Sequence, residues 1–320
     1  WEKINHYHKF IAQGGRGDFL CQNGEYAHLL HVIFYPFTFF KWETARMLWL
    51  LINVFFVFSI PILISKSLKL SKYKSILLLL IFITCYPTRM TLNYGQQSLL
   101  VLFFMLVPFI FKNKQSSFFA GLSYVKYSTG YVIFLNFLAS KQYKYFVLSL
   151  IPYLFGWLIY FFYTNSDPMI NFFEPLMLIL QKGYIKDADV YSLTKIYFAF
   201  LHSSNIKYLI ILAIFAINYF ILIKINKFDD MYFKMSLILI CPLIFFPHSN
   251  YDYILLFPLL CYSISNTGYL VNKLNIYFII YVFYFNRIIN HLVDLDVLYQ
   301  PLLLLFLILL LIINICSYKK

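Results

Sequence analysis

Charged residues and glycines are scarce in this chain of 320 residues. Asp, Glu, Lys and Arg make up only 12% of it and there are 10 glycines, whereas 62% of the residues are hydrophobic and 22% are aromatic. A soluble domain does not need so large an apolar fraction, because its surface must also carry polar residues. Apolar and polar residues do not alternate with a period of two, which argues against a transmembrane β-barrel. The composition therefore favours an all-α membrane protein.

The patterns of metal sites and of nucleic-acid-binding domains are also missing. The five cysteines have no CxxC spacing, and His28 and His31 lack a third ligand at a suitable distance in sequence. We therefore expect no metal and no cofactor. The formal net charge is +13, but the lysines lie in gaps between apolar segments, where membrane topology explains them. We expect membrane lipids as neighbours and no nucleic-acid partner.

Apolar runs close to the length of about 20 residues that crosses the hydrocarbon core recur from Ala45 to the C-terminus. We predict a single integral-membrane domain over residues 1–320, with about eleven membrane-crossing helical segments that include a short re-entrant hairpin. Because the chain opens at Trp1 with a wet, loop-like stretch, we also expect a first transmembrane helix upstream of it. The other spans are predicted near residues 46–65, 75–88, 97–111, 145–163, 206–223, 232–247, 253–267, 275–289 and 297–317.

Basic and acidic residues fall in alternate gaps between these spans. Most carboxylates lie in one set of gaps, and under the positive-inside rule the lysine-rich set faces the cytoplasm. We therefore predict a multi-pass protein, in a bacterial cytoplasmic membrane, whose acidic loops and active site face outward. The lysines that set this orientation in the first half of the chain are Lys66, Lys69, Lys72, Lys74, Lys112, Lys114, Lys141 and Lys144.

Lys126 is the one charged residue between Lys114 and Lys141. A lone ammonium at membrane depth costs about 2.5–3.5 kcal/mol on insertion scales and marks a functional site by default. The apolar stretch around it begins and ends in basic gaps but is too short for two full spans. It is typical of a re-entrant hairpin with residues 126–130 at its tip. The alternative is a single tilted span from which Lys126 reaches the interface.

Polar residues are grouped at several other points that the predicted topology places on the outer side. A lysine and an arginine can neutralise a phosphate, a carboxylate can accept a proton from an attacking hydroxyl, and a histidine can change charge near neutral pH. One outward-facing polar cavity that displaces a phosphate leaving group from a lipid carrier would use all of them. The candidate catalytic residues are Glu2, Asp18, His248 and Asp252, and the candidate substrate-binding residues are Lys126, Arg89, Gln96, Tyr94 and Tyr251.

Four motifs in order along the chain, IFYPFTFF, NYGQQSLL, AGLSYVKYSTGYVIFLNFL and PHSNYDYILLFPLL, resemble the polyprenol-phosphate-mannose-dependent mannosyltransferases of the GT-C superfamily. The resemblance implies an inverting membrane enzyme that moves a hexose, mannose, from a polyprenyl-phosphate donor to a lipid-linked or glycan acceptor outside the cytoplasm. In that family an aspartate base precedes a tyrosine in the first loop. The matching position here lies near or before Trp1, and Glu2 and Asp18 are the nearest acids.

On this hypothesis Lys126, helped by Arg89, holds the donor phosphate and Gln96 orients the sugar or the phosphate. His248 and Asp252 line the opposite wall of the cavity. Two alternatives from other classes stay open at this point. One is a transporter or flippase for a lipid-linked or anionic substrate, in which a broken hairpin and a membrane lysine bind without chemistry. The other is a ligase or polymerase of surface glycans.

Overall fold

The computed structural model describes residues 28–164, 193, 206–246, 248–286 and 296–317, and every secondary-structure element in those ranges is helical. This confirms the all-α prediction. Two candidate catalytic residues, Glu2 and Asp18, and nearly all of the predicted external loop between Thr164 and Asn205 lie outside the described residues.

The helices follow one another with short connections. Three 3-10 segments (Tyr35–Phe39, Gly121–Val125 and Asn250–Leu256) and one π-helical segment (Tyr281–Phe285) adjoin them. In chain order the α-helices are α1 (His28–Phe34), α2 (Trp42–Ser67), α3 (Lys72–Thr84), α4 (Tyr86–Tyr94), α5 (Ser98–Phe111), α6 (Lys114–Ala120), α7 (Tyr127–Ala139), α8 (Tyr143–Thr164), α9 (Ile206–Ile225), α10 (Met231–Ile238), α11 (Cys241–Phe245), α12 (Phe257–Ser265), α13 (Leu270–Ile280) and α14 (Asp296–Ser317).

Two of the described helices, α2 and α8, are long and apolar enough to cross a membrane, and the bent pair α3 and α4 makes a third if it is one span. Seven further apolar helical stretches have 10–17 residues each. The described part is thus consistent with a membrane protein. The larger number of crossings stays a prediction, because the seven shorter stretches are below the length of about 20 residues that crosses the hydrocarbon core.

Proline explains several of the breaks between helices. Pro87, Pro242 and Pro258 each occupy one of the first two positions of a helix, α4, α11 and α12 respectively. Proline has no N–H to donate and fits the first turn of a helix, where that N–H has no partner within the helix. Consequently the apolar runs predicted as spans near residues 75–88 and 232–247 each form two helices. The α3–α4 pair bends by 49° at the break.

The core consists of helices that are buried on nearly every side. In α12 all residues from Phe257 to Ile264 are buried, and in α5 most residues from Ser98 to Phe109 are. The helices around them expose large apolar side chains, such as Leu51 and Phe55 on α2 and Phe162 on α8. A soluble protein would carry polar residues on such outer faces, whereas hydrocarbon accepts apolar ones.

Helices α5 and α7 pack against each other, and their N-terminal ends lie close together, because Ser98 Oγ is 3.5 Å from Nζ of Lys126, the residue before α7. Each ends at a lysine with a left-handed backbone, Lys112 with φ 54° just after α5 and Lys141 with φ 56° shortly after α7. Cations at this end also complement the helix dipole. With 14 and 13 residues, the two helices are about 20 Å long at 1.5 Å per residue. Their N-terminal ends, at Ser98 and Tyr127, therefore lie about 20 Å from the basic loops.

Candidate functional site

The helix that contains Lys126 in the apolar stretch is interrupted at that residue. Helix α6 passes into the 3-10 segment Gly121–Val125, Lys126 is extended with φ −117° and ψ 101°, and α7 starts at Tyr127. The sequence predicted an interruption here, and the structure confirms it. That the segment re-enters a membrane stays a prediction.

Two glycines allow the interrupted segment to pack tightly. A side chain on Gly121 would collide with the carbonyl oxygen of Ser149 in α8, and one on Gly130 would collide with the carbonyl oxygen of Ser123. The backbone of the segment before Lys126 therefore lies directly against α8 at Gly121 and directly against α7 at Gly130. This contact fixes the position from which the Lys126 side chain extends.

Lys126 forms a buried ion pair with Asp252. Its Nζ atom lies 2.6 Å from Oδ1 and 2.7 Å from Oδ2 of the carboxylate, and the exposed fractions of the two residues are 8% and 1%. The hydroxyl of Ser98, at the first position of α5, donates to Asp252 Oδ1 at 2.6 Å and lies 3.5 Å from Lys126 Nζ. Within the described ranges this is the one ammonium–carboxylate contact of ion-pair length.

The short helix Asn250–Leu256 holds the acidic side of this cluster. Its Ser249 forms a capping box with Asp252, in which the Ser249 N–H donates to Asp252 Oδ2 at 3.1 Å. The neighbouring Tyr251 presents its ring to Lys126, with Nζ 4.8 Å from the ring centroid. A cation over an aromatic face is stabilised by about 0.5–1 kcal/mol at an exposed site and by about 2 kcal/mol when it is desolvated. We refer to Ser98, Lys126, Tyr251 and Asp252 as the lysine cluster.

The carboxyl of Asp252 is held in its ionised form. Lys126 and Ser98 both donate hydrogen bonds to it, and hydrogen bonds to the charged form of a carboxyl favour that form. Taking two charges out of water costs several kcal/mol per ion, and the pair repays this only when its geometry is good. A buried ion pair is thus a poor device for stability, and its presence in an apolar protein indicates a functional role.

The NYGQQS motif positions Ser98. Helix α4 ends at Tyr94, and Gly95 follows in the left-handed region with φ 62°. The indole N–H of Trp49 donates to the Gly95 carbonyl at 2.8 Å, and the Gln96 N–H donates to the Thr91 carbonyl at 2.9 Å. Because the chain turns at this glycine, α5 begins with its first residue beside Asp252.

The remaining candidates differ in how near they lie to the lysine cluster. Gln96 is buried in the turn before Ser98, whereas Tyr94 is 57% exposed and Arg89 is also exposed on α4. His248 is buried, with Nδ1 3.1 Å from the Phe246 carbonyl oxygen. The structure therefore brings Lys126, Tyr251 and Asp252 together, with Gln96 and His248 adjoining. It does not bury Arg89 and Tyr94 with them.

The two histidines of α1 belong to an aromatic contact on another side. His28 of α1 stacks on Tyr160 of α8 with ring centroids 4.0 Å apart, and His31 lies 5.7 Å from the same ring. Among the described residues no three His, Cys, Asp or Glu side chains are grouped as metal ligands. These histidines pack α1 against α8.

Ser98 is the residue of the cluster that sequence reasoning missed. It is 154 positions from Asp252, so the sequence alone gave no sign that they meet. The available signal was its place directly after the amides of NYGQQS, where a polar residue opens an otherwise apolar helix.

Comparison with known proteins gives one match. The sequence model of glycosyltransferase family 87 matches residues 26–247. That range contains Ser98 and Lys126 and ends one residue before His248. No curated protein and no solved structure matches the chain.

Proposed function

This chain belongs to glycosyltransferase family 87, and on that basis we propose that it transfers a hexose, mannose, from a polyprenyl-phosphate donor to a lipid-linked or glycan acceptor. The family membership makes it a membrane glycosyltransferase with a sugar donor and an acceptor. The kind of donor, the sugar and the side of the membrane are our proposals.

The buried ammonium of Lys126 is the observation that supports a phosphate-linked donor. A polyprenyl-phosphate sugar carries one negative charge between an apolar chain and a sugar, so its phosphate needs a cation at the edge of the hydrocarbon. Lys126 is such a cation, and it already holds an anionic group at 2.6 Å. Charge-assisted hydrogen bonds of this kind are about twice as strong as neutral ones.

The position of the lysine cluster fits an outward-facing site. It lies at the ends of α5 and α7 that are about 20 Å from the basic loops, and the hydrocarbon core is about 30 Å thick. If the basic loops face the cytoplasm, the cluster lies in the outer half of the membrane. A donor whose lipid chain is in that leaflet would bring its phosphate to this depth.

In the proposed reaction an acceptor hydroxyl attacks the anomeric carbon while the bond from that carbon to the phosphate oxygen breaks. The phosphate gains negative charge as it leaves, and Lys126 stabilises that charge in a site with little water. Gln96, buried beside Ser98, would orient the sugar or the phosphate. We place the base that accepts the hydroxyl proton upstream of the described residues, with Asp18 and Glu2 as the candidates, because Asp252 is engaged by Lys126.

A transporter or flippase would use the same cation without forming a bond. One experiment separates these functions: the full-length protein is purified into lipid nanodiscs and incubated with radiolabelled polyprenyl-phosphate mannose and a membrane glycolipid fraction. We expect free polyprenyl phosphate and a new glycosidic bond. Parallel reactions with polyprenyl-phosphate glucose and with nucleotide-activated mannose test the donor. Transfer from the nucleotide sugar alone, or translocation of intact donor without a new bond, would contradict the proposal.

A further inference from the structure

We propose that Ser98 is a second ligand of the donor phosphate, and that the Asp252 carboxylate occupies the phosphate position in the donor-free enzyme. The inference rests on the proposed function, since it assumes that the donor phosphate binds at Lys126. It adds a binding residue that the sequence motifs did not indicate and a competition that donor binding must overcome.

The hydrogen bonds of the carboxylate define a site for an anion with two oxygens. Asp252 Oδ1 accepts from Ser98 Oγ at 2.6 Å and from Lys126 Nζ at 2.6 Å, while Oδ2 accepts from Lys126 at 2.7 Å. A phosphodiester likewise has a single negative charge and two free oxygens. A phosphate oxygen in the place of Oδ1 would therefore accept from both Ser98 and Lys126.

The two anions compete because both need the same ammonium. A phosphate and a carboxylate at one lysine would leave a net negative charge in a buried site, which is costly. Asp252 has another partner, the Ser249 N–H of its own capping box, that does not depend on Lys126. The carboxylate can therefore leave Lys126 and keep one hydrogen bond. Ser98 stays in place, because its backbone forms the first turn of α5.

The competition predicts that removing the carboxylate's charge tightens phosphate binding. Asp252→Asn should bind polyprenyl monophosphate, the product of the transfer, about tenfold more tightly than the wild type, which is the effect of one charged interaction. In this background the contribution of Ser98 is measured without the competitor. Adding Ser98→Ala should weaken binding about tenfold, and adding Ser98→Thr, which keeps the hydroxyl, should weaken it much less.

A matched control is available on α10. Ser236 is fully buried, and its hydroxyl donates to the Tyr232 carbonyl at 2.7 Å. Ser236→Ala in the Asp252→Asn background should therefore leave the dissociation constant unchanged. A larger loss of phosphate affinity for Ser98→Ala than for Ser236→Ala would assign the loss to Ser98 and not to the removal of a buried hydroxyl in general.

The experiment measures the dissociation constant of polyprenyl monophosphate for full-length protein in nanodiscs, with the uncharged polyprenol as the reference ligand. The inference is overturned if Asp252→Asn binds the phosphate no more tightly than the wild type, or if Ser98→Ala has no larger effect than Ser236→Ala. If Asp252→Asn does not fold, Asp252→Ser replaces it, because it removes the carboxylate and its hydroxyl oxygen is an uncharged acceptor for the Ser249 N–H that Asp252 now binds. It should also tighten phosphate binding about tenfold, and unchanged or weaker binding overturns the inference.

Different results would contradict the proposed function and the inference about Ser98 and Asp252. Absence of transfer from any polyprenyl-phosphate sugar by the wild type would remove the proposed function. An active wild type whose phosphate affinity does not rise in Asp252→Asn would remove only the inference about Ser98 and Asp252.

Discussion

Lys126 Nζ lies 2.6 Å from Asp252 Oδ1, although 126 positions separate the two residues along the chain. The contact joins the start of α7 to the short helix Asn250–Leu256, and Ser98 adds the start of α5. Three elements thus meet at one buried charge pair. The effects of this arrangement on stability, on local geometry and on catalysis can be tested separately.

Breaking the charge pair from one side should destabilise the protein more than removing both charges. Asp252→Ala leaves an uncompensated buried ammonium, which costs about 3–5 kcal/mol, whereas replacing both partners by uncharged residues of similar size is often nearly neutral. We therefore expect Lys126→Met/Asp252→Asn to unfold at a higher denaturant concentration than Asp252→Ala. Denaturant unfolding in mild detergent, followed by circular dichroism, measures this. Equal midpoints for the two variants would mean that the pair carries no buried charge cost.

The two tightly packed glycines around Lys126 should not tolerate a methyl group. Gly121→Ala and Gly130→Ala would each place a carbon against a backbone carbonyl oxygen, of Ser149 and Ser123 respectively. Overpacking of this kind costs about 1–3 kcal/mol. Gly268→Ala is the matched control, because no atom lies within 4 Å of the added carbon. A thermal unfolding series should rank both buried variants below Gly268→Ala, and similar unfolding temperatures for all three would contradict the packing.

The turn at Gly95 should matter for activity through Ser98. Gly95→Ala forces a side chain into the left-handed region, at a cost of about 1–2 kcal/mol. Trp49→Phe removes the indole hydrogen bond to the Gly95 carbonyl, worth about 0.5–1.5 kcal/mol. We expect both variants to lower transfer by moving the start of α5, with Trp49→Phe the milder. The steady-state rate of sugar transfer, normalised to folded protein, tests this. Full activity in Gly95→Ala would show that the turn does not position the site.

A pair of buried amides should couple α13 to α14. Asn275 and Asn314 each donate to the other's side-chain oxygen at 2.9 Å. Removing one partner leaves a buried polar group unsatisfied, at a cost of about 1–3 kcal/mol, whereas Asn275→Leu/Asn314→Leu removes both. A double-mutant cycle of unfolding free energies should therefore show the double variant to be less destabilised than the sum of the single ones. Additive effects would show that the two amides act independently.

Hydropathy predicted the positions of the long helices because burial in hydrocarbon depends mainly on local composition. The spans predicted near residues 46–65 and 145–163 correspond to α2 and α8. The same signal did not resolve the breaks at Cys85 and at residues 239–240, since a proline at the start of a helix leaves the mean hydropathy high.

The functional side chains were predictable only one at a time. Lys126 could be identified because a charge in an apolar setting is costly, and Asp252 because it belongs to a group of polar residues between two apolar runs. Their contact could not be predicted, because it depends on how α5, α7 and the segment after α11 pack, and pairwise proximity is not encoded in local composition. Arg89 shows the opposite case: its charge suggested a partner for the phosphate, yet its side chain is exposed on α4.

The most direct test of the role of Lys126 is the rate of sugar transfer from radiolabelled polyprenyl-phosphate mannose by Lys126→Gln, normalised to folded protein. Lys114→Gln, which changes an exposed lysine at the start of α6, is the matched control. If Lys126 stabilises the leaving phosphate, Lys126→Gln loses at least about 100-fold in rate while Lys114→Gln keeps the wild-type rate. A folded Lys126→Gln protein that transfers mannose within a few-fold of the wild-type rate would contradict this role.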